Sequence, residues 1–326
     1  GISRETEILE MNQMLAVVDE EILDRFRIDT RYVFPDCGTP PRWLDDITYE
    51  DEWGIHRQRP PSSYYYDMVF HPWAEKTKEE IEKAPLPPVN ASKRCAGLRR
   101  RILEIRQNTD KAIFTSMSSV FEQTWNLMGM ESFLIALASD RTLIEAALDR
   151  VLEGFLAIND VIYTETGHEV DCIQFWGDLG IQSGPLMDPE IWRKLIKPRE
   201  IELLNHARAK TNAKLAWHSC GSCREFIPDF IEMGIDLLNP IQTRAAGMEP
   251  FELASEYGKD ISFWGGVDGQ LTLPLGTTDD VRKEVRYLID AFNGSYLVAA
   301  CHNIQNDVPA DNIIALFDEA FIYGNK

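Results

Sequence analysis

Short runs of β-branched and aromatic residues recur along most of the chain, and a longer stretch with helical periodicity follows almost every one. Seven such runs can be counted, at 29–34, 112–116, 171–175, 213–217, 235–238, 261–264 and 296–300. The helical stretches lie at 140–165, 189–210, 223–233, 250–257, 278–292 and 310–323. Repeated strand-then-helix units predict a parallel sheet covered by helices.

Two architectures are built from such units, a closed α/β barrel and an open doubly wound sheet. No Gly-x-Gly-x-x-Gly turn and no Gly-Lys-Ser/Thr phosphate loop follows any of the runs, which favours a single (β/α)8 TIM barrel spanning the 326 residues. A barrel of this type needs an eighth strand. Because the sequence begins at Gly1 rather than Met, we expect native residues to be missing before it, and the eighth strand to lie there or within 35–88.

The first ninety residues differ in character from the rest and predict an N-terminal helical and loop-rich extension. Apolar residues at three- and four-residue spacing predict a helix over 8–22. The segment 35–88 is rich in Pro, Tyr, Trp and Asp and reads as long loops. Its Tyr64-Tyr65-Tyr66 run is either part of a lid or an amphipathic loop.

Charge and cysteine content exclude several classes of function. The chain carries 53 acidic and 33 basic side chains, a net charge of −20, which repels nucleic acid and anionic membrane surfaces. No apolar run approaches the roughly 20 residues of a membrane span, and no signal segment opens the sequence. Six cysteines are too few for a disulfide framework. We therefore expect reduced thiols in a cytoplasmic enzyme.

Polar and reactive residues follow several of the predicted strands. In a barrel the carboxyl ends of the strands meet on one face, where the active site forms. The candidates on this face are Gly177-Asp178, His218-Ser219-Cys220-Gly221, Asn239-Pro240-Ile241-Gln242, Gly265-Gly266-Val267-Asp268 and Cys301-His302-Asn303.

The strongest of these signals is His218 with Cys220. Two residues apart on an extended segment, both side chains point to the same side. Imidazole nitrogen and thiolate sulfur suit zinc, and a third ligand, Cys301 or its neighbour His302, would leave a fourth position open for substrate. The alternatives are a hydrogen-bonded core histidine beside structural cysteines, or a redox role for the Cys-x-x-Cys pair of Cys220 and Cys223.

The remaining candidates have predicted roles around that centre. Asp178 and His218 are the predicted catalytic residues, although Asp178 is equally suited to capping its loop. Tryptophans at strand ends are either core and pocket wall or a platform for a ring-bearing substrate. The predicted substrate-binding residues are Trp176, Asn239, Gln242, Trp264 and Asp268.

Several motifs together resemble the uroporphyrinogen decarboxylase superfamily of α/β barrels, across nearly the whole chain. They are 51–55 (Asp-Glu-Trp-Gly-Ile), 178–186 (Asp-Leu-Gly-Ile-Gln-Ser-Gly-Pro-Leu), 218–221, 234–242, 301–305 and 308–313. The arginine-rich motif of the true decarboxylases is not found, and those enzymes lack the His-x-Cys pair. The branch that has the pair is similar to methylcobamide:coenzyme M methyltransferases and the methyltransferase components of O-demethylases.

This resemblance implies a zinc ion held by His218, Cys220 and a distal ligand. The family's distal position falls on His302, next to Cys301, and Cys301 is slightly preferred for its sulfur. The resemblance also implies methyl transfer with a corrinoid carried by a partner protein. An aromatic methyl ether is the favoured donor. The alternatives are methyl transfer from a methylcorrinoid to a thiol, a metal-free decarboxylase, and a non-catalytic barrel that binds a corrinoid protein.

Overall fold

The computed structural model describes residues 7–63 and 65–325 and has seven parallel strands in one curled sheet. The strands are Thr30–Tyr32, Ala112–Ser118, Cys172–Trp176, Lys214–His218, Leu237–Asn239, Ser262–Trp264 and Tyr296–Leu297. Each strand pairs with the next one along the chain, so their spatial order follows their sequence order. A doubly wound sheet would reverse this order at a switch point. The predicted TIM-barrel-like α/β fold is therefore confirmed, with each of the seven predicted runs forming a strand.

Helices cover the outside of the sheet. The longer ones are Leu98–Asn108, Val120–Met128, Met130–Ser139, Arg141–Thr166, Pro189–Leu195, Lys197–Lys210, Pro250–Tyr257, Thr278–Phe292 and Ala310–Gly324. The shorter ones are Glu20–Arg25, Lys78–Glu82, Ala91–Arg94, Ile227–Glu232 and Thr272–Leu275, with a 3-10 turn at Arg224–Phe226. The helix predicted over 189–210 is broken at Ile196, because Pro198 lacks the N–H that would bond to the carbonyl of Lys194, four residues earlier. No helix in the described part of the chain is long and apolar enough to cross a bilayer.

The first ninety residues differ from the prediction. The expected helix over 8–22 is a hairpin of Ile8–Glu10 with Leu15–Ala16, followed by the short helix Glu20–Arg25. The Glu10 carboxylate accepts the backbone N–H groups of Asn12 and Gln13, which fixes a turn where the helix would have continued. The apolar residues of the predicted helix stay largely exposed, so packing against a core would not stabilise a helix there.

The segment predicted as long loops also contains regular structure. Four short strands, Arg42–Trp43, Thr48–Glu50, His56–Gln58 and Asp67–Phe70, pair in chain order as an antiparallel sheet. They have two to four residues each, which is too short for strand periodicity to stand out. Within the described residues this sheet is separate from the barrel, and it supplies no eighth barrel strand.

The barrel interior is filled by alternate residues from all seven strands. Phe114, Cys172, Ala216 and Leu237 form a buried cluster, against which pack Tyr32, Ala112, Trp264 and Leu297. Because side chains alternate along a strand, residues two positions further on share this inward face and lie nearer the carboxyl ends. Those residues include Gln174, His218 and Asn239, so the fold places polar groups above an apolar floor.

A buried carboxyl anchors the helix that begins beside the barrel mouth. Glu200 is fully buried in Lys197–Lys210, and its carboxylate accepts the N–H groups of Val120 (3.2 Å) and Phe121 (2.8 Å) at the start of Val120–Met128. Burial raises the pKa of Glu200 from 4.5 to about 7, although these two N–H groups oppose the shift.

Glu200 should make stability depend on pH. The folded chain holds this proton more tightly than the unfolded chain, so its contribution is complete below about pH 4.5 and is lost as pH rises to about 7. The loss is on the order of 3 kcal/mol in the free energy of unfolding. We expect Glu200→Gln to flatten this dependence in urea titrations at pH 5 and pH 8, whereas Glu202→Gln, at an exposed position of the same helix, should not. Equal slopes for wild type and Glu200→Gln would contradict this account.

Candidate metal centre at the barrel mouth

Three side chains with metal-binding atoms converge at the carboxyl end of the barrel. They are His218, Cys220 and His302, whose ligand atoms all lie within 4.8 Å of one another. Cys220 Sγ is 3.5 Å from His218 Nε2, and the two imidazole rings meet edge to face at 6.1 Å between centroids. Across residues 7–63 and 65–325, no other group of three such side chains comes together.

A hydrogen bond from its other nitrogen orients His218. This residue ends the strand Lys214–His218 and is in register with Asn239 on the next strand. Asn239 Oδ1 lies 2.7 Å from His218 Nδ1. Because an amide oxygen only accepts, Nδ1 carries the hydrogen and the lone pair is on Nε2, facing Cys220.

The turn that carries Cys220 is held by its backbone. Cys220 N donates to Asp178 Oδ1 (2.7 Å), and Gly221 N donates to Gln242 Oε1 (2.8 Å). Gly221 has φ +75°, and a Cβ there would lie 2.5 to 2.8 Å from the backbone of Gly180 and Ile181. Only glycine fits this close approach of two loops.

His302 and Cys301 follow the last strand but face different surroundings. Cys301 is buried, its N–H donates to Val267 O, and its Sγ accepts the N–H of Gly269 at 3.4 Å. Cys301 Sγ is therefore outside the convergent group, whereas His302 is within it. Although the two residues are adjacent, only His302 presents its side chain to His218 and Cys220.

Two of the three side chains, the histidines, are already in the protonation state that binds a metal cation. Burial lowers the pKa of His218, opposed by Asp178, whose Oδ1 is 3.7 Å from His218 Nε2. Burial also lowers the pKa of His302 and raises that of the Cys220 thiol. Neutral imidazoles are ready ligands, and a cation would favour the thiolate. Two nitrogens and one sulfur form a donor set that fits zinc, with one position left open.

The other predicted site residues lie around this centre in different roles. The Trp176 ring packs on the His218 ring at 4.2 Å between centroids. The amide oxygen of Asn239 accepts from His218 Nδ1, and that of Gln242 accepts the Gly221 N–H. Trp264 ends its strand and packs against the apolar floor of the barrel, edge-on to Phe114 at 5.4 Å. Asp268 is buried and is occupied by an ion pair with Arg244 and by the N–H groups of residues 270–272.

The N-terminal extension reaches the loop that follows His302. Asn303 Nδ2 donates to Gln13 Oε1 of the hairpin turn at 2.5 Å, and Gln305 Nε2 donates to Tyr65 Oη. Of the tyrosine run considered as a lid, Tyr64 lies outside the described residues and Tyr65 contacts this loop. The hairpin and the tyrosine segment therefore border the mouth.

Two polar residues near the centre were not predicted. Gln174 is buried on the inward face of its strand and donates to Asn239 Oδ1 at 2.7 Å. A glutamine within the run Cys-Ile-Gln-Phe-Trp was the available signal. Glu122 accepts the N–H of Asp178 at 3.3 Å, and burial, assisted by Asp178, raises its pKa to about 8. Its place in a helix gave no sequence signal.

Comparisons with known proteins agree with this architecture. The family model for uroporphyrinogen decarboxylase (URO-D) matches residues 69–321. A solved methyltransferase from Methanosarcina mazei superposes with a TM-score of 0.70 at 17% identity, covering 93% of this chain and 82% of that one. At this identity the likeness shows a common fold.

Another solved structure is much less similar. A mandelate oxidase variant with 2-hydroxy-phenylacetamide covers 90% of this chain and 81% of its own, with a TM-score of 0.30 at 11% identity, which is too low to indicate a common fold. No curated protein matches the chain. The family match extends over most of the chain and includes all the converging side chains. The chain therefore belongs to the uroporphyrinogen decarboxylase (URO-D) family.

Proposed function

We propose that this protein is a zinc-dependent methyltransferase that exchanges a methyl group between a small substrate and a corrinoid carried by a partner protein. The favoured substrate is an aromatic methyl ether, which would be O-demethylated. The observation that carries the proposal is the convergence of His218, Cys220 and His302 at the barrel mouth. The His-x-Cys pair separates this chain from the true decarboxylases of its family.

The proposed ligands are His218 Nε2, Cys220 Sγ and His302. Each comes from the carboxyl end of a barrel strand or the turn after it, where barrel enzymes act. When bound there, zinc supplies Lewis-acid chemistry, either polarising a substrate oxygen or lowering the pKa of a thiol.

The surrounding side chains would help to bind an aromatic methyl donor. The Trp176 ring covers one side of the His218 ring and provides an apolar wall against which an aromatic ring can stack. The Asp178 carboxylate accepts the Cys220 N–H and so fixes the turn that carries this proposed ligand. Glu122, with a pKa of about 8, holds a proton at neutral pH one hydrogen bond from the Asp178 backbone.

A cobalt assay tests the reaction. Zinc-loaded protein is mixed with cob(I)alamin and a panel of methoxylated aromatics, and the absorbance of methylcobalamin is followed. We expect methylcobalamin to form with at least one donor, and Cys220→Ala to slow its formation at least about 100-fold, because loss of a ligand weakens the centre more than loss of a supporting contact does. Cys37→Ser, at an exposed cysteine, is the control and should react like wild type.

Two other outcomes would change the assignment. Methylation of a thiol by methylcobalamin, without ether cleavage, would replace the favoured direction by the thiol-methylating one. If zinc-loaded protein catalyses neither reaction, the result would contradict methyl transfer. It would favour a metal-free decarboxylase or a non-catalytic corrinoid-binding barrel.

A further inference from the structure

A chain of polar side chains crosses the barrel interior and ends on His218. Tyr32 Oη donates to Gln174 Oε1 (3.3 Å), and Gln174 Nε2 donates to Asn239 Oδ1 (2.7 Å). The same Asn239 oxygen lies 2.7 Å from His218 Nδ1. Gln174 and Asn239 are 2% and 8% exposed, so these bonds are shielded from competing water.

The chain has a direction, because each amide is fixed by what its two ends contact. Asn239 Nδ2 donates to the carbonyl of Trp264 at 3.4 Å, while Asn239 Oδ1 accepts from Gln174. Rotating the Asn239 amide by half a turn would lose both contacts and place an N–H group opposite His218 Nδ1. His218 would then carry its hydrogen on Nε2, the atom that faces Cys220, and a protonated nitrogen cannot bind a metal.

We propose that Gln174 and Asn239 are positioning residues that hold His218 with its hydrogen on Nδ1 and thereby set the metal affinity of the site. The effect on metal affinity rests on the proposed function, whereas the position of the hydrogen on His218 does not depend on it. Gln174 acts through Asn239 and touches neither metal nor substrate. The role differs from the substrate contact predicted for Asn239 from the sequence, because the Asn239 amide is occupied on both ends by protein.

The test measures the His218 tautomer and the zinc affinity separately. In metal-free protein, long-range nitrogen–hydrogen NMR correlations report which ring nitrogen of His218 is protonated. Zinc affinity is measured by competition with a chromophoric chelator. We expect wild type to be protonated on Nδ1, and Gln174→Met and Asn239→Leu to bind zinc roughly 10- to 100-fold more weakly and to lose the single tautomer.

Two further variants separate positioning from a general structural role. Asn239→Asp keeps an acceptor for His218 Nδ1 and should keep zinc affinity of the wild-type order. Thr115→Val removes a hydroxyl that is buried without a hydrogen-bond partner on the outward face of a neighbouring strand, and should change neither readout. If Asn239→Leu does not fold, Asn239→Ala and Gln174→Met carry the comparison.

The outcomes distinguish this inference from the proposed function. Wild-type affinity and an unchanged Nδ1–H tautomer in Gln174→Met and Asn239→Leu would overturn the positioning role. Absence of zinc binding by wild type would overturn the proposed function instead, while the tautomer measurement would still decide whether Gln174 and Asn239 orient His218.

Discussion

Replacing His302 by Ala is expected to lower zinc affinity at least about 100-fold, whereas Cys301→Ser should leave it near the wild-type value. His302 is in the convergent group with His218 and Cys220, within 4.8 Å. Cys301 Sγ is instead engaged by the Gly269 N–H, and a serine hydroxyl can accept that bond. The two residues are adjacent, so the pair of variants compares metal binding at nearly the same place in the fold.

The measurement is the zinc dissociation constant by chelator competition, with thermal unfolding of the metal-free variants as the control for folding. The opposite pattern, a large loss in Cys301→Ser and little change in His302→Ala, would show that the last strand end rearranges to present its sulfur. That result would contradict the ligand set proposed from the structure.

Substituting Gly221 by Ala is expected to destabilise the protein by about 2–5 kcal/mol and to weaken zinc binding at the same time. The backbone of Gly221 is left-handed, at φ +75°, which costs a residue with a side chain roughly 1–2 kcal/mol. The added Cβ would also meet the Gly180 carbonyl carbon at 2.5 Å, an overlap worth about 1–3 kcal/mol. Relief of this overlap has to move the turn that carries Cys220.

Gly184 offers a matched control in the two-stranded hairpin of Gly180–Ile181 with Gly184–Pro185, the hairpin that Gly221 approaches. A Cβ at Gly184 would meet nothing within 4 Å, so Gly184→Ala should change the free energy of unfolding by less than about 0.5 kcal/mol. Urea titration gives the stability of both variants, and chelator competition gives their zinc affinity. Equal stability of Gly221→Ala and Gly184→Ala would refute the close approach of the two loops.

The barrel could be predicted from the sequence because its strands are buried on both faces. Such strands read as short apolar runs between helices, as at Cys172–Trp176 and Lys214–His218. The N-terminal hairpin and the four-stranded sheet were missed because their strands have only two to four residues each. Their structure depends on side-chain contacts such as those of Glu10, which leave no periodic signal.

The candidate site was predictable in part for a similar reason. Spacing alone placed His218 and Cys220 on one side of the chain. The choice between Cys301 and His302 depends on the direction in which the chain turns after the last strand. The two residues are adjacent, so the spacing of residues in the sequence does not determine which side chain faces His218. Gln174 and Glu122 act through partners 65 and 56 residues away, Asn239 and Asp178, and such pairings appear only once the strands are in register.

The X-ray absorption spectrum at the zinc edge of the purified protein tests the central claim most directly. The ligand set of His218, Cys220 and His302 predicts one sulfur at about 2.3 Å and two imidazole nitrogens at about 2.0–2.1 Å from a bound zinc ion. Two sulfurs in the first coordination shell, or a protein that retains no zinc when it is purified and loaded with one equivalent, would contradict it.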